Sequence, residues 1–574
     1  MAEIHGDGSE GLPYIPDDVT IAHFVMDYQH PVRPRWSNDI RPWLIEEATG
    51  RQIGSDEIRS RMFGLSNALK IRWNIGYDDP VCVFSPNHVD YPVVMWAVQN
   101  LGGIVSTANP TYTADELAHQ LEAIRARLVV VHPDVLQVAL EAARMIGLSE
   151  DAIILFEKAV ARPNILDLIE SGLKEPQRFT PLSFRPGQAK EKLALLSFSS
   201  GTTGRPKAVM ISHYSMIANI VMYGEHMRQN RAKTSPDMHF CLPGDVIYGI
   251  LPFYHAFGMH FVVLMNMVFG TTVVVAPKFS LQQMLDSIQR YRITNLAVVP
   301  PQVIAMCKSP ITKDYDLSSL RSIVSGAAPL GPEVTDQLAQ LLPKCIIGQV
   351  YGLTEAATGV VFAAHGLKVP TPGSAGVLVP GVVARVVKAD GSLAGFDELG
   401  ELQVKQPSIA LGYFNNPQAT AETYVDGWVR TGDEVRINAA KELFVVDRIK
   451  ELLKVRGLQV APSELEGHLL DHAAVRDACV VGVPDEYSGD LPVAFVVLAP
   501  EAVQGNKGDL KRALMLHVSE HKARHKWLAA VEFVDEIPKN PSGKLLRRVL
   551  RDQAKKMLLD GSLKVESSSR RAKL

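Results

Sequence analysis

Short apolar runs alternate with amphipathic segments along most of the chain. Five runs are too short for ordinary helices and are flanked by turn residues, so each predicts a buried strand. They lie at residues 81–84 (VCVF), 128–131 (LVVV), 193–196 (LALL), 296–299 (LAVV) and 322–325 (SIVS).

Helical segments lie between these runs. Residues 91–101 predict a helix that two glycines end. Thr113 and Glu116 have the spacing of a capping box, and the apolar residues after them recur at helical spacing. The nearly apolar stretch at residues 261–276 is interrupted by polar residues and glycine. It is too short to span a bilayer, so we interpret it as a buried helix followed by a strand.

Strands that alternate with helices indicate an α/β fold of layered, largely parallel sheets. Around Asp433 the pattern changes to short strands separated by turns, which predicts a β-rich subdomain. Residues 447–574 have the size of a small α+β domain, and no low-complexity linker precedes them. We therefore expect a large N-terminal domain at residues 1–446, a hinge, and a small mobile C-terminal domain at residues 447–574.

Composition excludes several classes of protein. The chain has 574 residues, a formal net charge of -3 and no stripe of basic and aromatic residues, so nucleic acid is not expected as a partner. The five cysteines are scattered and form no C-x-x-C pair, which argues against a zinc site or a disulfide framework and fits a reducing compartment. The N-terminus is polar and acidic, unlike a secretory signal.

Residues 197–207 (SFSSGTTGRPK) follow an apolar strand and form the most informative segment. Glycines let the backbone approach a ligand, while hydroxyls, backbone N–H groups and Lys207 can bind phosphate oxygens. The segment predicts a phosphate loop, although it lacks the G-x-x-x-x-G-K-[ST] pattern. The alternative is a polar surface linker. The candidate phosphate ligands are Ser199, Ser200, Gly201, Thr202, Thr203, Gly204 and Lys207.

This loop resembles the nucleotide loop of the acyl-adenylate-forming (AMP-binding) superfamily, which includes acyl-CoA synthetases and 4-coumarate–CoA ligases. Further segments resemble that superfamily's motifs in order along the chain. They are residues 251–258 (LPFYHAFG), 325–331 (SGAAPLG), 349–356 (QVYGLTEA), 427–433 (GWVRTGD), 446–466 (VDRIKELLKVRGLQVAPSELE) and 538–548 (PKNPSGKLLRR).

The resemblance implies a reaction in two halves. A carboxylate attacks the α-phosphate of ATP to give acyl-AMP and pyrophosphate, and the thiol of coenzyme A then displaces AMP. ATP, Mg²⁺ and coenzyme A are the implied cofactors, and a small carboxylic acid is the implied substrate. Such phosphoryl chemistry needs positioned charge more than covalent catalysis.

The same resemblance implies roles for individual residues in nucleotide binding. Thr354 would bind phosphate and Glu355 would hold Mg²⁺, although alone the pair would more often be a helix cap and a first-turn acid. The ribose would bind Asp433, with Arg448 as its companion. The base and its surroundings would contact Ser325, Gly326, Ala327, Tyr351 and Gly352, with Tyr351 stacked on the base.

Further residues are implied for catalysis and domain movement. Lys544 would stabilise charge at the α-phosphate, and Lys450 would be the hinge. Three residues would face the site in the thioester-forming arrangement: Lys454, Gly457 and Gln459.

The acyl pocket is implied at His255, Phe257 and Phe261, where His255 also borders the thiol tunnel. No cation is apparent there, and no aspartate stands where the superfamily's amino-acid-adenylating domains bind the α-amine, so we expect an apolar or aryl acid without an amine. Plant coumarate ligases place proline after T-E-A-G, whereas this chain has residues 356–359 (AATG). That difference argues against a coumarate-like substrate.

Three histidines, His517, His521 and His525, are spaced by four residues on an apparent helix and would share one face. No acidic third ligand or H-E-x-x-H motif accompanies them, so a solvated basic face is favoured over a metal site.

Two other functions remain open at this point: an adenylation enzyme that loads a carrier protein, and a pseudoenzyme that only binds nucleotide. Retention of the implied catalytic residues argues against the latter. The last three residues, AKL, are a conservative variant of the S-K-L peroxisomal address. We therefore expect a peroxisomal import receptor as a partner and the peroxisome as the location, with the cytoplasm as the alternative.

Overall fold

The computed structural model describes residues 3–34, 42–199, 206–456, 458–485, 488–539 and 543–565. Three sets of candidate residues lie outside these ranges: Ser200 to Gly204 of the phosphate loop, Gly457, and the C-terminal residues 572–574.

The strands are numbered in chain order. They are β1 Ile4–His5, β2 Leu44–Glu46, β3 Gln52–Ile53, β4 Pro80–Phe84, β5 Ile104–Ala108, β6 Leu128–Val131, β7 Ile153–Leu155, β8 Leu193–Ser199, β9 Lys207–Ser212, β10 Val246–Gly249, β11 Thr272–Val275, β12 Asn295–Val298, β13 Ser322–Ser325, β14 Ile346–Gln349, β15 Tyr351–Leu353, β16 Thr358–Phe362, β17 Gly376–Leu378, β18 Val383–Val387, β19 Gly400–Lys405, β20 Tyr424–Val425, β21 Trp428–Ile437, β22 Glu442–Arg448, β23 Leu453–Val455, β24 Leu458–Val460, β25 Val475–Asp485, β26 Gly489–Leu498 and β27 Ala530–Phe533.

The α-helices are numbered in the same way. They are α1 Ile21–Met26, α2 Ser55–Trp73, α3 Tyr91–Asn100, α4 Ala114–Ile124, α5 Leu136–Met145, α6 Ile165–Lys174, α7 Gln188–Glu191, α8 His213–Lys233, α9 Asn266–Phe269, α10 Leu281–Tyr291, α11 Pro300–Lys308, α12 Pro332–Leu341, α13 Pro417–Thr423, α14 Pro462–Leu470, α15 Lys507–His521 and α16 Arg547–Leu559. A π-helix, Phe257–Met265, leads into α9.

Two mainly parallel sheets form the centre of the N-terminal domain. One has the order β7-β6-β4-β5-β8-β9, and the other has the order β14-β13-β12-β10-β11-β2-β3. Among the described strands of these two sheets, the β8–β9 and β2–β3 pairs are antiparallel and the other pairs are parallel. Helices connect the parallel strands, as crossover connections require.

A third, antiparallel sheet has the order β1-β18-β19-β21-β22-β17-β16-β15, with β20 paired to β21. The C-terminal sheet has the order β24-β23-β26-β25, with β27 parallel to β26. These sheets are the expected β-rich subdomain and α+β domain, so the fold class is confirmed.

The apolar pattern predicted many elements correctly. Strands β6 and β13 have the bounds that the pattern gave, and α3 ends one residue early. The capping box at Thr113 and Glu116 is present, with hydrogen bonds in both directions. The stretch at residues 261–276 is buried and runs from helix to strand, as expected.

The two domains meet just after β22. That strand still pairs with β21 at Arg448, and residues 449–452 form the turn that leads to β23. Across the junction, Lys308 Nζ at the end of α11 donates to the carbonyls of Leu470 (2.9 Å) and Val475 (2.8 Å). In the described ranges, no helix combines the length and apolarity that crossing a bilayer takes.

Candidate functional site

The candidate residues gather where strands of the two parallel sheets end. Ser199 is the last residue of β8, and Ser325 is the last residue of β13. Tyr351 follows β14 after one residue. Ligands of open α/β sheets bind at such carboxyl ends, so the observed fold places these positions where a ligand is expected.

The phosphate-loop segment connects the two strands of a hairpin. Ser199 is paired with Lys207 in the antiparallel β8–β9 ladder, so both ends of the loop are held side by side. The Oγ of Ser199 is buried and has no hydrogen-bond partner among the described residues. Lys207 Nζ lies 5.1 Å from the ring centroid of Tyr413. A cation and a buried hydroxyl thus flank the loop.

Thr354 and Glu355 form a short 3-10 turn immediately after β15. The hydroxyl of Tyr413 donates to Glu355 Oε1 at 2.8 Å, and the Glu355 carbonyl accepts from the backbone of Ala410 at 3.0 Å. Tyr413 therefore contacts both Glu355 and Lys207. Its role was missed in the sequence because no local pattern connects it with residues more than fifty positions away.

The backbone after this turn is strained. Ala357 has φ 49° and Thr358 has φ 107°. Residues other than glycine rarely adopt such positive φ values. The Thr358 hydroxyl is also buried without a partner in the described part of the chain. Backbone strain and unsatisfied polar groups concentrate at functional sites, which agrees with the position beside Glu355.

Asp433, Arg448 and Tyr351 form a buried polar cluster. Asp433 and Arg448 face each other across β21 and β22, with Arg448 Nε 2.8 Å from Asp433 Oδ1. The Tyr351 hydroxyl donates to Asp433 Oδ2 at 2.6 Å. Burial raises the pKa of Asp433, while the charge of Arg448 opposes that rise. The cluster brings together three residues from separate sequence motifs.

Lys544 reaches this cluster from the C-terminal domain. Its amine is half-buried, and burial together with the charge of Arg448 lowers its pKa, while Glu451 and Asp433 raise it. The preceding Gly543 has φ 81°, and a Cβ at that position would lie 2.7 Å from a methyl carbon of Val299, the residue directly after β12. Only glycine allows this close contact with Val299, and the contact holds the segment that carries Lys544 against the N-terminal domain.

The charge of Lys544 also acts on His255. Burial lowers the pKa of His255 to about 4, with a further contribution from the charge of Lys544. Its Nδ1 accepts a hydrogen bond from the backbone N–H of Phe257 at 3.2 Å. The ring is therefore neutral at pH 7, and its proton is on Nε2.

An aromatic wall continues from His255 along the π-helix. The rings of Phe257 and Phe261 are 5.3 Å apart, and Phe261 lies 5.9 Å from both Tyr223 and Phe362. A Cβ at Gly326 would meet the Phe257 ring at 2.9 Å. The expected acyl-pocket residues thus border the loop expected to hold the base. Tyr223 and Phe362 join them through long-range packing alone, without a sequence signal.

Lys454 and Gln459 lie outside the cluster formed by Asp433, Arg448 and Tyr351. They face each other in the β23–β24 hairpin, and both are exposed. With its amide nitrogen towards the carboxylate, Gln459 donates to both Glu434 oxygens (3.1 and 3.3 Å). Lys450 is exposed in the turn between the domains. The structure brings Lys544 to Asp433 and His255, and it leaves this hairpin outside the cluster.

The prediction that three C-terminal histidines share one helix face is only partly correct. α15 ends at His521, and His525 lies beyond it in a separate 3-10 turn. The prediction that His525 shares a face with His517 and His521 is wrong, because the chain leaves the helix after His521.

Comparisons with known proteins agree with this geometry. Residues 41–414 match the AMP-binding enzyme family, and residues 464–544 match the AMP-binding enzyme C-terminal domain. The 4-coumarate–CoA ligase 2 of Oryza sativa subsp. japonica is 36% identical over 530 residues, which is 89% of this chain and 89% of that protein. Acyl-CoA ligase AFT1-1 of Alternaria alternata is 34% identical over 564 residues, covering 94% and 95% of the two chains.

The fold has solved counterparts. The crystal structure of the anthranilate CoA ligase AuaEII in complex with anthranoyl-AMP has a TM-score of 0.83, covering 97% of this chain and 100% of that one at 23% identity. The match over residues 41–414 and the 36% identical relative establish that the chain belongs to the AMP-binding enzyme family.

Proposed function

We propose that this protein is an ATP-dependent acid–CoA ligase that forms an acyl-AMP and then transfers the acyl group to coenzyme A. The observation that carries the proposal is that Lys544 is half-buried and lies within electrostatic reach of both the Asp433–Arg448 pair and His255. The 4-coumarate–CoA ligases among its relatives support the same activity.

In the first half-reaction, positioned cations balance the charge on the triphosphate. Lys207 and the hydroxyls around the β8–β9 loop bind phosphate oxygens, and Thr354 adds a further donor. Lys544 stabilises the charge that develops at the α-phosphate as the carboxylate attacks. Asp433 accepts from the ribose hydroxyls, with Arg448 fixing its orientation at 2.8 Å.

Magnesium fits the site through Glu355. Tyr413 occupies one carboxylate oxygen of Glu355, and the other is not engaged by any hydrogen bond found in the described residues. A hard cation takes one or two carboxylates and completes its shell with phosphate oxygens and water. Mg²⁺ would neutralise charge on the phosphates, and Tyr413 would hold the Glu355 side chain in place.

In the second half-reaction, the β23–β24 hairpin takes the place of Lys544. Lys454, Gly457 and Gln459 then border the path of the coenzyme A thiol, after the C-terminal domain rotates about Lys450. The neutral ring of His255 faces the acyl group throughout, since its pKa of about 4 keeps it uncharged.

The aromatic wall supports an apolar or aryl acid as substrate. Phe261 packs against Phe257, Tyr223 and Phe362, so its ring fills space beside the pocket. Phe261→Ala should shift preference towards bulkier acids by about 10-fold or more, because one pocket contact contributes ~1–3 kcal/mol. The kcat/KM values for aryl, medium-chain and long-chain acids measure the shift. An unchanged ranking would place the pocket elsewhere.

The decisive experiment measures AMP formation with and without coenzyme A for the same panel of acids. An acid–CoA ligase releases AMP in proportion to acyl-CoA, and Lys544→Ala serves as the inactive control. A protein that loads a carrier would form acyl-AMP but give no acyl-CoA. A protein that only binds nucleotide would release no pyrophosphate with any acid.

We also propose that residues 572–574 direct the protein to peroxisomes by binding the import receptor for such C-terminal tripeptides. The support is their likeness to S-K-L and the two arginines before them. An N-terminally fluorescent fusion should become cytosolic when these three residues are deleted. Peroxisomal fluorescence that survives the deletion would contradict the proposal.

A further inference from the structure

We propose that the C-terminal domain carries a binding site for a divalent transition-metal ion, of the zinc class, formed by His468, His517 and His521. This site is separate from the proposed nucleotide and acyl site and is additional to the proposed activity. It joins α14 to α15, two helices that the sequence places far apart.

The three imidazoles converge closely. One side-chain nitrogen from each of His468, His517 and His521 lies within 4.8 Å of those of the other two. The rings of His468 and His517 are stacked at 4.2 Å and 4°, and His521 lies 5.3 Å from the first and 5.6 Å from the second. Two metal–nitrogen bonds of 2.0–2.1 Å at a tetrahedral angle need roughly 3.3 Å between nitrogens. Metal binding therefore requires the rings to rotate so that these nitrogens come closer together.

Hydrogen bonds to the backbone leave a lone pair on each ring. Nε2 of His468 donates to the carbonyl of His517 at 3.1 Å, and Nε2 of His517 donates back to the carbonyl of His468 at 3.0 Å. Nδ1 of His521 donates to the His517 carbonyl at 2.9 Å. In the neutral rings, the second nitrogen is then an acceptor. Metal-bound histidines have this arrangement, because a backbone carbonyl fixes the ring and its tautomer.

The electrostatic surroundings also favour a cation. His521 is in the last turn of α15, His517 lies one turn before it, and His468 is in the last turn of α14. The negative ends of two helix dipoles therefore meet at the cluster. Asp471, just after α14, has Oδ2 4.0 Å from His468 Nδ1 and offers a fourth ligand. Glu464 pairs with both Lys522 (3.3 Å) and Lys526 (2.6 Å), so it offsets only part of the positive charge of these two lysines.

The ligand type selects the metal. Imidazole suits zinc, copper, nickel and iron, whereas magnesium and calcium prefer sets of oxygen ligands. Three histidines with a carboxylate beside them are a set that zinc accepts. His468 and His517 are half-buried and His521 is exposed, so an ion can enter from solvent. Binding would fasten α14 to α15 within the C-terminal domain.

The test is calorimetric titration of the full-length, metal-free protein with Zn²⁺ alone. We expect one ion per chain, an affinity at least about 10-fold lower in His468→Ala, His517→Ala and His521→Ala, and an unchanged affinity in His525→Ala. His525 is the matched control because it follows the same helix but lies outside the cluster. Zn²⁺ should raise the unfolding temperature of the wild type and of His525→Ala, but not that of the three variants.

Co²⁺ substitution identifies the ligands independently of these variants. Histidine ligation gives visible bands of tetrahedral cobalt without the thiolate charge-transfer band that a cysteine site would produce. Circular dichroism checks that each variant is folded, and exposed His521 offers a substitution that disturbs no core. The proposal is overturned if His521→Ala binds Zn²⁺ as the wild type does, if His525→Ala loses as much affinity, or if cobalt reports thiolate ligands.

Discussion

Two segments of the C-terminal domain differ in how closely they contact the N-terminal domain. The segment that carries Lys544 lies against the N-terminal domain, with Gly543 in contact with Val299 and Lys544 beside Asp433. The β23–β24 hairpin, which carries Lys454 and Gln459, is exposed and contacts Glu434 at its edge. Both segments belong to one folded unit, because β23 and β24 extend the sheet whose strand β25 packs on α16, directly after Lys544.

This difference supports the proposal that one arrangement of the domains brings only one of the two segments to the nucleotide and acyl site. The observed arrangement suits acyl-AMP formation, since the amine of Lys544 is at the cluster. Presenting the hairpin instead requires the whole domain to turn about residues 449–452. Substitutions in either segment and at the domain contacts test this division of roles, and Lys544→Ala is expected to have the largest effect.

Lys544→Ala should separate the two half-reactions most strongly. Losing a donor to transition-state charge typically costs about 10²–10³-fold in rate, so acyl-AMP formation should fall by that factor. Conversion of supplied acyl-AMP and coenzyme A to thioester should stay within about twofold of wild type. Stopped-flow assays of each half measure this. Arg548→Ala, an exposed change in the same basic run, is the control. Equal slowing of both halves would disprove the division.

Lys450→Pro should have the opposite effect. Proline fixes φ near −65° and restricts the residue before it, so the turn between the domains becomes stiffer. A barrier to rotation raised by ~1.4 kcal/mol slows thioester formation about 10-fold. Acyl-AMP formation should be preserved, and Lys450→Ala should behave as wild type because it retains backbone freedom. If thioester formation is as fast in the proline variant, rotation does not pass through this turn.

Lys308→Ala should favour the rotated arrangement. The variant loses the two hydrogen bonds to the carbonyls of Leu470 and Val475 that join the domains as observed. With ~1 kcal/mol lost in partly exposed surroundings, the population of the rotated arrangement rises about fivefold. Fluorescence energy transfer between labels on the two domains reports it. Lys313→Ala removes an exposed lysine nearby and should change nothing. An unchanged distance distribution in Lys308→Ala would contradict the prediction.

Glu434→Gln should produce the smallest change. The substitution removes the carboxylate that Gln459 contacts but leaves an amide that can still accept a hydrogen bond. A loss of about 0.5 kcal/mol corresponds to roughly a twofold shift towards the rotated arrangement. The same fluorescence measurement applies, with Glu434→Asp as the variant that keeps the charge. A larger shift than in Lys308→Ala would reverse the relative importance of the two contacts.

Local sequence patterns predicted the parts of the fold that depend on neighbours along the chain. The run that became β6 is continuous and apolar, and the run that became β13 is a pair of apolar residues between two serines. The capping box at Thr113 depends on one four-residue segment. In contrast, the π-helix at Phe257–Met265 has the same apolar pattern as an α-helix, so composition alone does not identify it.

The candidate site was predicted through its motifs and not through its contacts. The resemblance named Asp433, Arg448 and Glu355, but nothing local showed that Tyr413 donates to Glu355 or that Tyr351 donates to Asp433. The histidine cluster shows the same limit. Its third member, His468, lies on another helix, and only the packing of α14 on α15 brings it to His517.

Gly543 has a consequence for the mutational tolerance of the chain. It has φ 81° and lies against Val299, so any other residue there suffers from both the backbone angle and the lack of space. A change of Val299 to a larger side chain would create the same collision from the opposite domain. Substitutions at these two positions therefore disturb the same contact, although the positions lie in different domains. A bulkier residue at either one would move Lys544 away from Asp433.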